Sequence, residues 1–124
     1  MRLLLDTHAA LWFLSADERL SENAERHLSD DANEILLSAV VVWEVAIKRA
    51  LGKLVVPGEY LGLLLDAGVT TLSVTLDHAA AIEHLTPHHR DPFDRMLIAQ
   101  ATIEGAAVVS RDAAFRPYDI PVIW

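Results

Sequence analysis

The sequence predicts an α/β domain with a mostly parallel sheet covered by helices on both faces, and three observations predict it. Short apolar runs alternate with helical segments, no hairpin signal joins one run to the next, and 124 residues at 52% hydrophobic content suffice for one core. Strands separated by helices imply right-handed crossovers, hence parallel neighbours. We expect one domain over residues 1–124, with no repeat, low-complexity tract or linker.

The first run, Arg2 to Leu5, reads as a buried strand that ends at Asp6. Thr7 is placed to cap the next helix, His8 to about Leu14, which is apolar nearly all round and has to be covered by core or partner. After a break at Asp17 to Leu20, Ser21 and Glu22 open a polar amphipathic helix whose Ala24, His27 and Leu28 can face inward, with His27 read as a surface or boundary residue and not a ligand. Glu34 to Leu37 is the second strand, and Ser38 caps a third helix that runs to Gly52. Pro57 and Gly58 precede a fourth helix through Leu61, Leu64 and Leu65, ended by Gly68. Val69 to Val74 alternates as the third strand, Asp77 starts a short helix, and Thr86 to His89 is a loop. Asp91 at the N-cap and Pro92 at the first helical position start a helix that ends at Gly105. Ala106 to Ser110 is the fourth strand, and Val122 to Trp124 is a short edge strand framed by Pro117 and Pro121.

Four acids stand at strand ends or on inner helix faces. Glu44 lies three and four residues from Val40, Val41 and Ile47, on the apolar stripe of its helix. An i to i+4 pair with Lys48 explains the spacing but not the apolar face. Asp94 shares a face with Leu97, Ile98 and Ala101, while Asp91 reads as the cap. Asp6 and Asp112 each stand at the carboxyl end of a predicted strand, the edge where ligands gather in such sheets. Carboxylates brought together repel unless a cation lies between them. Oxygen-only ligation suits Mg2+, or Mn2+, and phosphodiester hydrolysis is the natural chemistry of such a site. His88 and His89 are too few, and adjacent histidines point too differently, to make a transition-metal site of their own.

Thr7, Ser38 and Ser110 neighbour the acids, either as helix caps and turn residues or as groups that orient a ligand. Arg95 and Arg111 either contact substrate phosphates or are solvated charge. A net charge of -8 argues against a general basic surface for nucleic acid, leaving a local basic rim. No cysteine is present, so there is no disulfide framework or thiolate metal site. The N-terminus is too short in apolar residues for a signal peptide, and no run approaches a membrane span, so the expected location is the cytoplasm.

The segments LLLDTHAALWF, SAVVVWEVAIKRALGKL, HRDPFDRMLIAQA and VVSRDAAF resemble the successive blocks of the PIN-domain ribonucleases, specifically the VapC-type toxins of bacterial toxin–antitoxin pairs. The resemblance runs from Met1 to Trp124. It implies a five-stranded parallel sheet in the order 3-2-1-4-5, an RNA substrate, and Asp6, Glu44, Asp94 and Asp112 as metal-binding catalytic acids. It also implies a VapB-type antitoxin that silences the toxin, and a homodimer. Expected cleavage leaves a 5'-phosphate and a 3'-hydroxyl. In that reading Asp6, Asp94 and Asp112 hold Mg2+, and Glu44 completes the site or orients the nucleophile. Two rivals are a catalytically silent binding module of the same fold and a haloacid-dehalogenase-type phosphatase. The phosphatase needs a second Asp two residues after Asp6, where this chain has His8.

Overall fold

The computed structural model describes residues 1–124. The elements run β1 (Arg2–Leu5), α1 (Thr7–Ser15), α2 (Glu22–Leu28), β2 (Glu34–Ser38), α3 (Ala39–Ala50), α4 (Tyr60–Asp66), β3 (Thr70–Leu72), α5 (Leu76–Ala81), α6 (Pro92–Glu104), β4 (Ala107–Val109) and β5 (Val122–Ile123). Single 3-10 turns follow α5 at Ile82–His84 and β4 at Ala113–Phe115. All strand pairs are parallel, and the order across the sheet is β3-β2-β1-β4-β5. The expected class and strand order are therefore those observed.

The central strands are apolar on both faces because helices cover both. Leu3, Leu4, Leu5, Leu36, Val108 and Val109 are wholly buried and join one continuous core. Successive strands build outward from β1 in one direction to β2 and β3, then in the other to β4 and β5. The reversal opens a crevice at the carboxyl ends of β1 and β4, beside Asp6 and Ser110.

Helix starts follow capping chemistry, with two corrections. Thr7 does not cap α1: Asp6 does, accepting from the Ala9 N–H at 2.8 Å, and Thr7 is the first helical residue. A carboxylate accepts from that free amide without needing the hydroxyl rotor Thr would supply. Asp77 does not start α5 either. Thr75 caps it through the His78 N–H at 3.1 Å, and the His78 Nδ1 accepts from the Thr75 N–H at 3.0 Å, closing a reciprocal box that Asp77, in the first turn, is not placed to make. Ser21 and Ser38 cap α2 and α3 as expected.

Strand β3 is shorter than the alternation of Val69 to Val74 suggests. Its one neighbour, β2, pairs through Leu36–Ser38 and then turns into α3, so the ladder stops at Leu72. Similarly β4 is Ala107–Val109 within the expected Ala106–Ser110. Helix α1 is covered mainly by the core: Ala9 and Ala10 are fully buried, and Leu11, Trp12, Phe13 and Leu14 pack against it half-buried. No helix is long and apolar enough to cross a membrane.

Candidate metal centre at the carboxyl edge of the sheet

Four elements bring an acid each to one cleft of about 510 Å3 at the carboxyl edge of the sheet. Asp6 follows β1, Glu44 projects from the inner face of α3, Asp94 from the first turn of α6, and Asp112 from the turn after β4; all four line it. Asp91 lines the cleft as well, but its Oδ1 accepts from the Asp94 N–H at 3.0 Å, so it is the helix cap. The same helix design buries Leu97, Ile98 and Ala101 and carries Asp94 inward with them.

The carboxylates differ in how far the protein already satisfies them. Asp6 is buried; one oxygen accepts from the Ala9 N–H and the other from the Ser110 hydroxyl at 2.5 Å. Glu44, also buried, accepts from the Thr7 hydroxyl at 2.6 Å on Oε1 and from the Lys48 ammonium on Oε2. Asp94 accepts only through Oδ2, from His89 at 2.7 Å, and Asp112 only through Oδ1, from the Ala114 N–H at 2.9 Å. Asp94 Oδ1 and Asp112 Oδ2 thus carry no hydrogen bond from the protein. Ligand atoms of Asp94, Asp112 and His89 lie within 4.8 Å of one another, whereas Asp6 and Glu44 stand outside that tight group on the wall of the same cleft.

Charge repulsion and burial leave their mark. Burial pushes the Asp94 carboxyl up to about 6; the His89 hydrogen bond opposes this and the nearby Asp91 and Asp6 charges add to it. Burial likewise raises Asp6, against the hydrogen bonds from Ser110 and Ala9. The hydrogen bond to Glu44 holds the Lys48 ammonium above its usual range. Acids that resist ionisation in a cleft with all-oxygen donors fit a hard divalent cation, which would neutralise them.

The remaining residues singled out in the sequence separate clearly. Thr7 and Ser110 act on the site through Glu44 and Asp6, and Ser110 Oγ also accepts from the Asp112 N–H at 3.0 Å. Arg111 lines the cleft, its guanidinium 5.9 Å from the centre of the Trp12 ring. Ser38 does not reach it: wholly buried, it caps α3 and donates to Gln100 Oε1 at 2.6 Å. Arg95 does not face the cleft either. Its guanidinium donates to the carbonyls of Ile82, Leu85, Thr86 and His89 and to the Tyr118 hydroxyl, which commits it to holding the loop before α6.

His89, set aside in the sequence together with His88 as a metal site of their own, stands beside the acids. The two neighbouring histidines do diverge, His88 stacking edge-on against Tyr118, but that divergence leaves His89 facing Asp94. The legible signal was its position five residues before Asp94, across a helix start that turns the chain back on itself. Lys48 and Trp12 also line the cleft.

A family model described as PIN domain matches residues 3–121. Ribonuclease VapC22 of Mycobacterium tuberculosis is 29% identical over 122 residues, covering 96% of this chain and 93% of the relative. Among solved structures, VapBC2 from Rickettsia felis bound to a DNA fragment from their promoter superposes with a TM-score of 0.72 at 14% identity, covering 98% of this chain and 97% of that one. VapC20 of Mycobacterium tuberculosis, a sarcin–ricin loop cleaving toxin, gives a TM-score of 0.63 at 17% identity, covering 95% of each chain. At such identities the structural likeness speaks for the fold alone.

Proposed function

Because the chain belongs to the PIN-domain family, we propose that it is a divalent-metal-dependent endoribonuclease of the VapC type, the toxin of a toxin–antitoxin pair. One observation carries the reading: four carboxylates from four separate elements line one cleft, and two of them present an oxygen that the protein leaves without a hydrogen bond. A non-catalytic binding module has no use for gathering these acids, since burial and neighbouring charge disfavour the ionised forms of Asp6 and Asp94. The ribonuclease name of VapC22 supports the same chemistry.

Asp94 and Asp112 would hold the cation through their free oxygens, and Asp6 through the lone pairs left after Ser110 and Ala9. Bound there, Mg2+ or Mn2+ supplies Lewis-acid polarisation of a phosphodiester and acidifies an attacking water. Glu44, already engaged by Thr7 and Lys48, is set to orient the nucleophile from the side. Ser110 holds Asp6 and, through the Asp112 N–H, the backbone that carries Asp112, so a single hydroxyl keeps two acids in register. Arg111 beside Trp12, the basic side chain of the rim that no acid of the site engages, contacts an RNA phosphate. Products carry a 5'-phosphate and a 3'-hydroxyl.

The partner is a VapB-type antitoxin, a reading supported by the VapBC complex among the structural neighbours, and a homodimer is part of the same proposal. Leu11, Trp12 and Phe13 of α1 each retain exposed surface, and a groove between α1 and residues 54–57 is lined by Leu11, Leu14, Leu54 and Val55. That face is offered to the antitoxin. The activity is tested by incubating purified, partner-free protein with total RNA and Mg2+ and mapping new 5' ends. Defined cleavage that stops with EDTA is expected; intact RNA, or cutting that persists in EDTA, would overturn the reading.

A further inference from the structure

The hydrogen bonds of His89 define the tautomer of its neutral ring. The backbone N–H of Arg90 approaches His89 Nδ1 at 3.1 Å, and a backbone N–H can only donate, so Nδ1 is the acceptor. The proton of the neutral ring therefore sits on Nε2, which donates to Asp94 Oδ2 at 2.7 Å. In this tautomer neither ring nitrogen has a lone pair for a cation, although the ring nitrogen, Asp94 and Asp112 lie within 4.8 Å of one another. The ring is also held in place. The His89 N–H donates to the Tyr118 hydroxyl at 2.9 Å, that hydroxyl donates to the Thr86 carbonyl at 2.8 Å, and Arg95 binds the His89 carbonyl at 3.3 Å. Its edge packs on Phe115, 6.3 Å between ring centres, a wholly buried residue in the turn that carries Asp112.

We propose that His89 is a positioning residue for the divalent cation and not a ligand to it: by donating Nε2–H to Asp94 Oδ2, it fixes that carboxylate so that Oδ1 is the atom offered to the metal. The inference rests on the metal-dependent reading above. It also assigns a purpose to Arg95 and Tyr118, which hold the loop that aims the imidazole. A carboxylate with one oxygen pinned has one orientation to present, whereas a free one must lose rotamer freedom each time the cation binds.

Three substitutions separate this role from loop packing. His89→Gln keeps a donor where Nε2 was but loses the acceptor for Arg90; His89→Asn does the reverse; His89→Phe keeps the ring against Phe115 and loses both. The measurement is Mn2+ affinity, from the electron paramagnetic resonance of free Mn2+, with thermal unfolding in EDTA alongside to establish folding. Affinity should fall roughly ten- to hundredfold in His89→Phe and His89→Asn and stay close to wild type in His89→Gln. Pulsed spectra of Mn2+ bound to the wild type should show no coupling from directly bound nitrogen. Rescue by Asn but not Gln, wild-type affinity in a folded His89→Phe, or a directly coordinated nitrogen would each overturn the assignment. A wild-type protein that binds no Mn2+ would overturn the metal reading itself, and this inference with it.

Discussion

Asp91 and Asp94 stand one helical turn apart and answer to different physics. Asp91 satisfies a free amide, so Asp91→Ala should cost about 0.5–2 kcal/mol in chemical unfolding, while Asn or Ser, which cap as well, should recover most of it. RNA cleavage should change only in proportion to folded protein. Loss of Mg2+ stabilisation in Asp91→Asn would show that the two positions had been exchanged. Asp94 is the opposite case. Its carboxyl is raised from 3.8 to about 6 in the folded protein, so between those values the folded state binds the proton that the unfolded state has released. Metal-free stability therefore falls as pH rises through that window. With EDTA present, the melting temperature of the wild type should drop from pH 4 to pH 6 more steeply than that of Asp94→Asn. Asp6 shifts in the same direction and keeps part of the slope in the variant. A variant as steep as the wild type would contradict the burial of Asp94. Above pH 6, Mg2+ should stabilise the wild type and lose most of that effect on the variant.

At the scale of the element, helix α1 shows how tightly the site is built into the fold. Its cap, Asp6, is itself a member of the acid cluster, so the dipole end of the helix and the cleft share one side chain. The other end is strained. Ala16 closes α1 with φ 50 and ψ 43, a left-handed conformation that penalises any side chain with a Cβ. Ala16→Gly should raise stability by about 0.5–1 kcal/mol in urea unfolding, since the relief of strain exceeds the added freedom of the unfolded chain. A loss of stability would mean that Ala16 packs more than its exposed position suggests. The helix starts at Asp91 and Ser38 were legible because each cap sits directly before an apolar-periodic run. Thr75 was not, since its partner in the box is a histidine where Glu or Gln is the usual signal.

At the scale of the molecule, alternation of strand and helix was enough to read a parallel sheet, but not its order. Nothing in the pattern of Leu3 to Leu5 or Val108 to Val109 says which strands are neighbours; the order entered through the resemblance and is the one observed. Glu44 and Asp94 stood out because each shares an apolar helix face, Asp6 and Asp112 because each follows a strand, and the sheet's reversal brings them to one cleft. His89 and Arg95 were read less well for a common reason. Their work is done through hydrogen bonds across the start of α6 or to backbone carbonyls, which no local periodicity records. Arg95 in particular looked like a free cation beside acids, and only the fold shows its guanidinium turned to the loop.

We propose that these carboxylates act together on RNA through a divalent cation. This is tested most directly by the rate of RNA cleavage at saturating Mg2+ for the wild type, Asp6→Asn and Asp94→Asn, each shown to be folded. Either substitution should slow cleavage by roughly a hundredfold or more while leaving the same 5' ends in whatever is cut. Undiminished cleavage by either variant would contradict the account.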